Sequence, residues 1–543
     1  MKRSGRLAAA GFWMAALATS AAAAGAPPLD TKIDPIFAAF GPTTPGCAVG
    51  VERAGQVLFE KGYGAADVAA ARPITPQSRF YMASVSKQVT AMAALLLVED
   101  GRLRLNDPVR KFIPELPAYA DGVTVAQLLN HTSGMRDYFT VGALSGLGDD
   151  HVYTEAGVLD LLKRQQALNF APGSEFLYSN SGYVLVSIIV QRVSGERLDD
   201  FARKRIFAPL GMSASRFQHD HTAAVPDKAN GYRGRVGAWT VANSNLDVVG
   251  DGGLYSSVDD MLRWLANLDR PKVGAQALGV MRTSARLNDG SPSGYGMGLE
   301  TTIFRGFEVV QHGGSLVGYQ TADWWIPKQR LGVVVLCNRG DILGGAFAAQ
   351  VASVFLPDGT PTRSATTAGA GDDVARYVGL YRDAVGGYSE FGTDRGKLYG
   401  MRPPTALAPI GTGLFVAAAR PDGVQYAFDA GGGLALILEG QPTHRFKRVE
   451  RCELKGDAGA DFVGDYASPE ATTPIHIRQA DGLRMAFSEG GAGVALVSTG
   501  SDRLWAPASG IELTFVRDAA GKVTGFALSA GRARGLKYAR SVP

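Results

Sequence analysis

Residues 84–87 read Ser-Val-Ser-Lys, which places a serine and a lysine three positions apart. Apolar residues recur at helical spacing after them and predict a helix over residues 84–99. Positions i and i+3 share one face of a helix, so the amine of Lys87 should lie beside the hydroxyl of Ser84. The N–H groups of the first turn favour negative charge there. A partly desolvated lysine has a lowered pKa and can accept a proton, so Ser84 is the candidate nucleophile and Lys87 its base.

A second group of polar residues is Tyr178-Ser179-Asn180, which follows Pro172-Gly173 and precedes another helical pattern. A tyrosine next to a lysine ammonium can relay a proton to a leaving group. The side-chain amide of Asn180 can hold a substrate carbonyl. These residues leave open whether Lys87 or Tyr178 is the principal base.

A third group is His312-Gly313-Gly314-Ser315, at the end of a strand-like run. Glycines at a strand let a substrate backbone approach closely. The backbone N–H of Ser315 could pair with that of Ser84 to form an oxyanion hole. His312 is therefore a candidate catalytic residue that lines the cleft.

The other histidines carry less chemistry. His131 lies in His-Thr-Ser-Gly and is expected to order a turn. His219 and His221 flank Asp220 in a loop that lacks a third metal ligand nearby. The sequence therefore predicts no metal site and no cofactor.

The N-terminus has the composition of an export signal. Lys2, Arg3 and Arg6 precede an apolar stretch over residues 7–18, and small residues follow up to Ala24. This pattern is typical of a signal peptide cleaved near Ala24 and not of a stable membrane span. It predicts a periplasmic or secreted protein. Without the three basic residues the formal net charge falls from +4 to +1, which with no basic stripe argues against a nucleic-acid partner.

Cysteine usage is sparse, with Cys47, Cys337 and Cys452 in 543 residues. Cys47 and Cys337 both lie in strand-like apolar runs, so a disulfide between them is possible in an export compartment. Burial as free thiols is the favoured expectation, because cysteine is among the most buried residue types.

The length of 543 residues implies more than one hydrophobic core. Two alternating segments, 47–52 and 56–62, predict a β-hairpin that opens the first domain. Strand-like runs return at 307–338, a helix is predicted over 344–355, and the region 105–290 is mostly helices and loops. Strands at both ends of one domain predict an antiparallel sheet, built from distant parts of the chain, beside a helical cluster.

The C-terminal third has a different sequence pattern from the rest of the chain. Residues 357–371 have linker composition, and short strands separated by Gly and Asp follow. The segment 377–381 recurs weakly at 462–466, which predicts two small antiparallel β-barrels. The predicted domains are 25–356, 372–455 and 456–543, after a signal peptide over 1–24.

Together, S-x-x-K, Y-x-N and H-x-G resemble the penicillin-recognising serine hydrolases, which include class C β-lactamases, D,D-peptidases and D-aminopeptidases. Class C enzymes usually carry Lys at the position of His312 and end near the first domain. The chain is more similar to the D-aminopeptidases, whose catalytic domain precedes two eight-stranded barrels. The resemblance implies a multidomain protein with an α/β β-lactamase-like domain. It also implies an acyl-enzyme on Ser84 and a preference for the amino end of a peptide.

Two departures bear on the substrate, namely the export signal, which places the protein near cell-wall peptides that contain D-residues, and a short loop. In D-aminopeptidases a loop of the last barrel offers an acidic group to the substrate ammonium, but the matching stretch here, 505–513, is short. Its only acid, Glu512, is expected in the following strand. The expected substrate is therefore a small peptide, amide or ester, most often with an N-terminal D-residue.

The alternatives keep the same site. They are an esterase, a D,D-carboxypeptidase, a weak β-lactamase, or a penicillin-binding-like sensor that stays acylated. A binding protein without catalysis would leave the S-x-x-K sequence without a purpose.

Overall fold

The computed structural model describes residues 28–148, 150–357, 373–402, 404–418, 423–438, 443–454 and 459–541. The predicted signal peptide lies outside the described residues, as does the predicted linker after Pro357. The domain boundaries therefore stay predictions. Across the described ranges, no helix is both long enough and apolar enough to span a membrane.

Within its described residues, the N-terminal part combines thirteen strands with eleven α-helices. The strands are β1 (Cys47–Arg53), β2 (Gln56–Tyr63), β3 (Ala65–Asp67), β4 (Arg72–Pro73), β5 (Phe80–Tyr81), β6 (Arg216–Phe217), β7 (Tyr232–Arg235), β8 (Ala238–Val241), β9 (Leu254–Ser256), β10 (Glu300–Phe304), β11 (Phe307–Leu316), β12 (Tyr319–Ile326) and β13 (Leu331–Cys337). The helices are α1 (Leu29–Ile33), α2 (Ser86–Glu99), α3 (Val125–Leu129), α4 (Tyr138–Leu144), α5 (Glu155–Lys163), α6 (Asn180–Ser194), α7 (Leu198–Ala202), α8 (Ala208–Leu210), α9 (Val258–Asp269), α10 (Ala275–Arg282) and α11 (Gly344–Phe355).

The main sheet has six antiparallel strands in the order β10-β11-β12-β13-β1-β2. The N-terminal hairpin thus completes a sheet whose other four strands lie between Glu300 and Cys337. This confirms the predicted antiparallel sheet built from distant segments beside a helical cluster.

Helix α2 is buried almost throughout, so it forms the centre of the helical cluster and not an amphipathic surface helix. It begins at Ser86, whereas the sequence predicts Ser84, because residues Ala83–Val85 form a tighter 3-10 turn. Hydrogen bonds of one polar side chain, Gln88, anchor the helix to the sheet and to α9. Gln88 donates to both carboxylate oxygens of Asp323 at 2.8 Å and accepts from Trp264 at 2.7 Å. These bonds fix the rotation of the helix that carries Lys87.

Cys47 and Cys337 form a disulfide, so the favoured expectation of free thiols is wrong for this pair. The two residues lie directly opposite each other where β1 pairs with β13. The bond closes the sheet between segments 290 positions apart in sequence. Cys452 is free and exposed.

The C-terminal part is all β. Its strands are β14 (Gly379–Asp383), β15 (Tyr388–Asp394), β16 (Lys397–Met401), β17 (Pro404–Gly411), β18 (Leu414–Ala417), β19 (Gln425–Phe428), β20 (Gly433–Ile437), β21 (His444–Val449), β22 (Cys452–Glu453), β23 (Gly464–Ala467), β24 (Ile475–Ala480), β25 (Gly482–Ala486), β26 (Val494–Ala495), β27 (Val497–Gly500), β28 (Arg503–Ala506), β29 (Ile511–Arg517), β30 (Val523–Ala530) and β31 (Ala533–Arg540). Strands β14–β21 close into an eight-stranded barrel, the first barrel. Strands β22–β31 form a ten-stranded sheet that curls into a half-barrel. This half-barrel is called the second barrel below.

The weak sequence repeat corresponds to a repeated structure. The Tyr381 hydroxyl donates to the Tyr377 carbonyl at 3.0 Å, and Tyr466 donates to Phe462 in the same way at 2.9 Å. One 3-10 turn leads into β14, the first strand of the first barrel, and another leads into the matching strand β23. The prediction of two related small antiparallel barrels is confirmed.

We expect the double variant C47A/C337A to lose about 3–5 kcal/mol of unfolding free energy, because the disulfide closes a very long loop in the unfolded chain. Chemical denaturation followed by circular dichroism measures this loss. The matched control is Cys452→Ala, which removes an exposed free thiol and should change stability by less than about 0.5 kcal/mol. A double variant as stable as the control would contradict the role given to the bond.

Candidate active site

Ser84 lies in the tight turn between β5 and α2. The residue before it, Ala83, has a positive φ of 47°, a conformation that is strained for any residue other than glycine. Strand β11 passes against this turn at Gly314. A Cβ there would lie 2.3 Å from the Met82 carbonyl oxygen, so only glycine fits without movement. Close packing against the sheet therefore fixes the turn that carries Ser84, the candidate nucleophile.

Lys87 is buried, and its amine has three acceptors. It donates to Ser84 Oγ at 3.1 Å, to Asn180 Oδ1 at 2.9 Å and to the Asp251 carbonyl at 2.7 Å. A neutral amine has two N–H groups and one lone pair. If Asn180 and Asp251 receive the two N–H groups, the lone pair points at the Ser84 hydroxyl. This arrangement lets the amine accept the serine proton.

Asn180 is oriented by Asp137. The carboxylate oxygen Oδ2 of Asp137 accepts from Asn180 Nδ2 at 2.9 Å and from its backbone N–H at 2.8 Å. The other oxygen caps α4 by accepting from Phe139 and Thr140. Because Nδ2 faces Asp137, Oδ1 must face Lys87. The contacts of Asn180 therefore position Lys87, and a contact with a substrate carbonyl stays a prediction.

Burial, the largest cause, and the nearby Arg532 guanidinium lower the pKa of Lys87, while the Asp251 and Asp137 carboxylates oppose them, and the resulting pKa is about 7. Burial also raises the pKa of the Asp251 carboxyl, which accepts a hydrogen bond from Tyr138 at 2.9 Å. A lysine with this pKa has a substantial neutral fraction at neutral pH. It can serve as a general base.

Tyr178 lies beside the same amine, with Lys87 Nζ 4.8 Å from its ring centre. Burial raises the pKa of Tyr178 well above its usual value, although Ser84 and Arg532 lower it in part. The tyrosine therefore stays protonated at neutral pH, which suits a donor or relay better than a base. His131 packs on this ring at 4.2 Å and accepts from the Ser179 backbone N–H at 3.2 Å. His131 thus helps to hold Tyr178 in addition to its place in the turn.

His312 lines the cleft, and both of its ring nitrogens are occupied. Nδ1 lies 2.7 Å from the Gly313 carbonyl oxygen, and Nε2 lies 3.0 Å from the Tyr295 hydroxyl. The carbonyl can only accept, so Nδ1 carries the proton and Nε2 accepts from Tyr295. Burial, with a smaller effect of Lys87, lowers the pKa of His312 to about 3. His312 is neutral, and a direct part in proton transfer stays a prediction.

Gly313, Gly314 and Ser315 line the same cleft as Ser84, which has a volume of about 650 Å³. A Cβ on Gly313 would meet a single atom of the protein, 3.9 Å away, so the protein itself leaves this position open. That space is available to a substrate lying along β11. The oxyanion hole formed by the N–H groups of Ser84 and Ser315 stays a prediction.

Sequence reasoning missed four polar residues of this site, namely Asp137, Asp251, Glu300 and Arg532. Asp251 lies in a glycine-rich run, Val249-Gly-Asp-Gly-Gly253, which is a signal that could have been noticed. Glu300 begins β10 opposite Gln311, next to His312. Arg532 lies in the turn between β30 and β31, and no motif marks it. Glu512, as expected, lies in β29 and binds Arg382 at 2.6 Å, away from the cleft.

The loop with His219 and His221 has an acidic neighbour, Asp247, from a later part of the chain. Asp220, His221 and Asp247 bring their ligand atoms within 4.8 Å of one another at an exposed position. The ring of His221 lies 2.9 Å from Asp247, which accounts for its placement without a metal. The cluster carries no assignment.

The fold is that of a serine hydrolase, and Ser84 of the S-x-x-K sequence is its candidate nucleophile. Residues 33–351 match the Beta-lactamase family, and the chain belongs to it. The D-aminopeptidase of Brucella melitensis biotype 1 is 29% identical over 525 residues, covering 91% of this chain and 96% of that protein.

Two solved structures are similar to the chain. The octameric penicillin-binding protein homologue from Pyrococcus abyssi has a TM-score of 0.56 at 26% identity, over 77% of this chain and 99% of its own. The D-amino acid amidase from Ochrobactrum anthropi SV3, complexed with D-phenylalanine, has a TM-score of 0.50 at 25% identity, over 60% and 98%.

We expect the rate at which a fluorophosphonate probe labels the protein to rise with pH and to level off above an apparent pKa near 7. Below that pH Lys87 is protonated and cannot accept the Ser84 proton. Lys87→Ala should slow labelling by about 10²–10⁴-fold, the usual contribution of a general base. Lys111→Ala, on the surface, is the matched control, and Ser84→Ala should not be labelled. A loss below tenfold in Lys87→Ala would argue against its role.

Proposed function

We propose that this enzyme hydrolyses amide bonds of small peptides and amides whose acyl side is a D-residue with a free amino group. The observation that carries the proposal is Glu300, a carboxyl group in the same cleft as Ser84. It offers a partner for a substrate ammonium, which the shortened loop at 505–513 does not. The D-aminopeptidase relative supports the same substrate class, because its similarity extends over 91% of this chain.

The proposed reaction begins with Lys87 in its neutral form. Lys87 accepts the Ser84 proton while Ser84 Oγ attacks the substrate carbonyl carbon, and the N–H groups of Ser84 and Ser315 stabilise the resulting oxyanion. The C–N bond then breaks. The departing amine takes a proton relayed from Lys87 through Tyr178, which leaves an ester on Ser84.

Deacylation runs through the same groups. A water molecule gives its proton to Lys87 and attacks the ester carbonyl, and the Ser84 oxygen leaves and recovers a proton. The opposite pKa shifts of the two residues favour Lys87 as the base and Tyr178 as the relay. His312 is proposed to line the cleft as a neutral group, held by Tyr295.

We also propose that the chain is exported with residues 1–24 as a cleaved signal peptide, to the periplasm or outside the cell. The disulfide between Cys47 and Cys337 supports this location, because such bonds persist in oxidising compartments. N-terminal sequencing of the mature protein tests the proposal, with Gly25 as the expected first residue. A mature chain that retains residues 1–24 would overturn it.

A substrate panel separates this function from its alternatives. It compares the p-nitroanilides of D- and L-alanine, a D-Ala-D-Ala peptide, a cephalosporin and a short ester. Preferred turnover of the D-alanine anilide supports the proposal, and preferred turnover of the ester or the cephalosporin would replace it. A stoichiometric burst without further turnover would indicate an acylated sensor.

We expect Glu300→Gln to raise KM for the D-alanine anilide by about 10- to 100-fold, because a charge-assisted hydrogen bond to the ammonium is lost. Hydrolysis of a neutral ester should change by less than about threefold. Glu308→Gln is the matched control, since this glutamate is exposed on the adjacent strand β11. Equal effects on anilide and ester would contradict ammonium recognition by Glu300.

The same interaction has a pH signature. Burial raises the pKa of Glu300 to about 6, so the carboxylate becomes protonated as pH falls through that value. The wild-type KM for the anilide should therefore rise below pH 6, and the KM of Glu300→Gln should not. Steady-state kinetics between pH 5 and 8 measures the difference, and a wild-type KM that is flat over this range would contradict it.

A further inference from the structure

The second barrel contributes one residue to the active-site cleft. Among the described residues that line the cleft, Arg532 is the one that lies beyond residue 346, and it is also the one lysine or arginine. Its guanidinium carbon lies 4.7 Å from the centre of the Tyr178 ring. Because His312 is neutral and Lys87 is buried behind Ser84, Arg532 is the fixed positive charge that the cleft presents to a substrate.

The backbone of Arg532 is held firmly. Its carbonyl accepts from the Asp137 backbone N–H at 3.2 Å and from Asn169 Nδ2 at 3.0 Å. Two residues on, the Arg534 backbone N–H donates to Asn169 Oδ1 at 2.8 Å and its side chain binds Glu175 at 2.9 Å. These contacts fix the turn, so a change of the Arg532 side chain should not move it.

The side chain, in contrast, keeps its donors available. It is 44% exposed, and its nearest carboxylate oxygen, Asp137 Oδ2, is 3.8 Å away. That oxygen already accepts two hydrogen bonds from Asn180. Within the described residues, no hydrogen bond to another group occupies the guanidinium. An arginine in this state can bind a carboxylate through two parallel hydrogen bonds.

The position of Arg532 indicates which part of a substrate it would meet. Tyr178 is the relay to the departing nitrogen in the proposed reaction, so a cation stacked on its ring stands on the leaving-group side of Ser84. We infer that Arg532 binds the free carboxylate of the leaving residue. This rests on the proposed function and refines its substrate class. The preferred substrate is then a short peptide in which a D-residue precedes a C-terminal residue with its carboxylate free.

Arg532 also has a general electrostatic effect, which the test must separate from binding. Its charge lowers the pKa of both Lys87 and Tyr178. Removing that charge raises the pKa of Lys87 and shifts the pH profile upward for every substrate alike. A ratio between two substrates that differ only in the carboxylate cancels this common effect.

The experiment compares the dipeptide D-Ala-D-Ala with its C-terminal amide, using kcat/KM at several pH values. In Arg532→Gln we expect the dipeptide to lose about 10- to 100-fold and the amide less than about threefold. Arg532→Lys should retain part of the preference, because it keeps the charge but not the two parallel hydrogen bonds. Arg445→Gln, an exposed arginine of the first barrel, is the matched control and should leave the ratio unchanged.

Equal losses for the two substrates, or no loss for either, would overturn the inference. If the wild type cleaves neither peptide, the proposed amidase function fails, and the inference is then tested separately. For that case the matched pair is the D-alanyl ester of lactic acid and that of lactamide, whose leaving alcohols differ only in the carboxylate. A ratio that falls in Arg532→Gln supports the inference, and an unchanged ratio overturns it.

Discussion

The burial of the Lys87 amine is the constraint on which the rest of the site depends. An ammonium group removed from water is costly unless it is paired or loses its proton. Here the nearest partners are a serine hydroxyl, an amide oxygen and a backbone carbonyl, which stabilise the neutral amine as well as the charged one. The fold therefore supports a lysine that exchanges its proton near neutral pH. The Ser84 hydroxyl is the neighbouring group that can donate a proton to the neutral amine.

The barrels take part in holding this arrangement. Arg136 forms a fully buried ion pair with Glu470 of the second barrel, and its side chain also donates to the Arg534 carbonyl at 3.1 Å. The next residue, Asp137, orients Asn180 and donates its backbone N–H to the Arg532 carbonyl. Two consecutive residues thus connect the barrel to the amide that faces Lys87. The second barrel is part of the active site and not an independent appendage.

Much of this could be predicted from the sequence, because the informative signals are local. The hairpin at Cys47, the helix after Ser84 and the strand around His312 follow from apolar periodicity and from the residues that interrupt it. The S-x-x-K spacing also gives the Ser84–Lys87 contact, since both residues lie within one turn of chain. The start of α2 lies two residues after the predicted one, because a side-chain pattern over only three residues does not distinguish a 3-10 turn from an α-helix.

What could not be predicted depends on contacts between distant segments. The disulfide needs the β1–β13 register, which places Cys47 opposite Cys337, and a register cannot be read from two apolar runs. Arg532 lies in an ordinary hairpin turn and becomes part of the site only because the second barrel docks on residues 136, 137 and 169. Its position is set by tertiary packing, for which a single sequence offers no local signal.

The neutral state of His312 explains where the charges of the cleft lie. A permanent cation at that position would lie close enough to repel the Lys87 ammonium and to favour its neutral form still more. With a neutral imidazole, burial is left as the main cause of the low pKa of Lys87. Among the described residues that line the cleft, the sheet contributes the Glu300 carboxylate and no lysine or arginine. The positive charge of the cleft comes instead from Arg532, which belongs to the second barrel. In the proposed function, the Glu300 carboxylate of the sheet binds the substrate ammonium and the Arg532 guanidinium of the barrel binds the carboxylate of the leaving residue, so a short zwitterionic peptide is the proposed ligand.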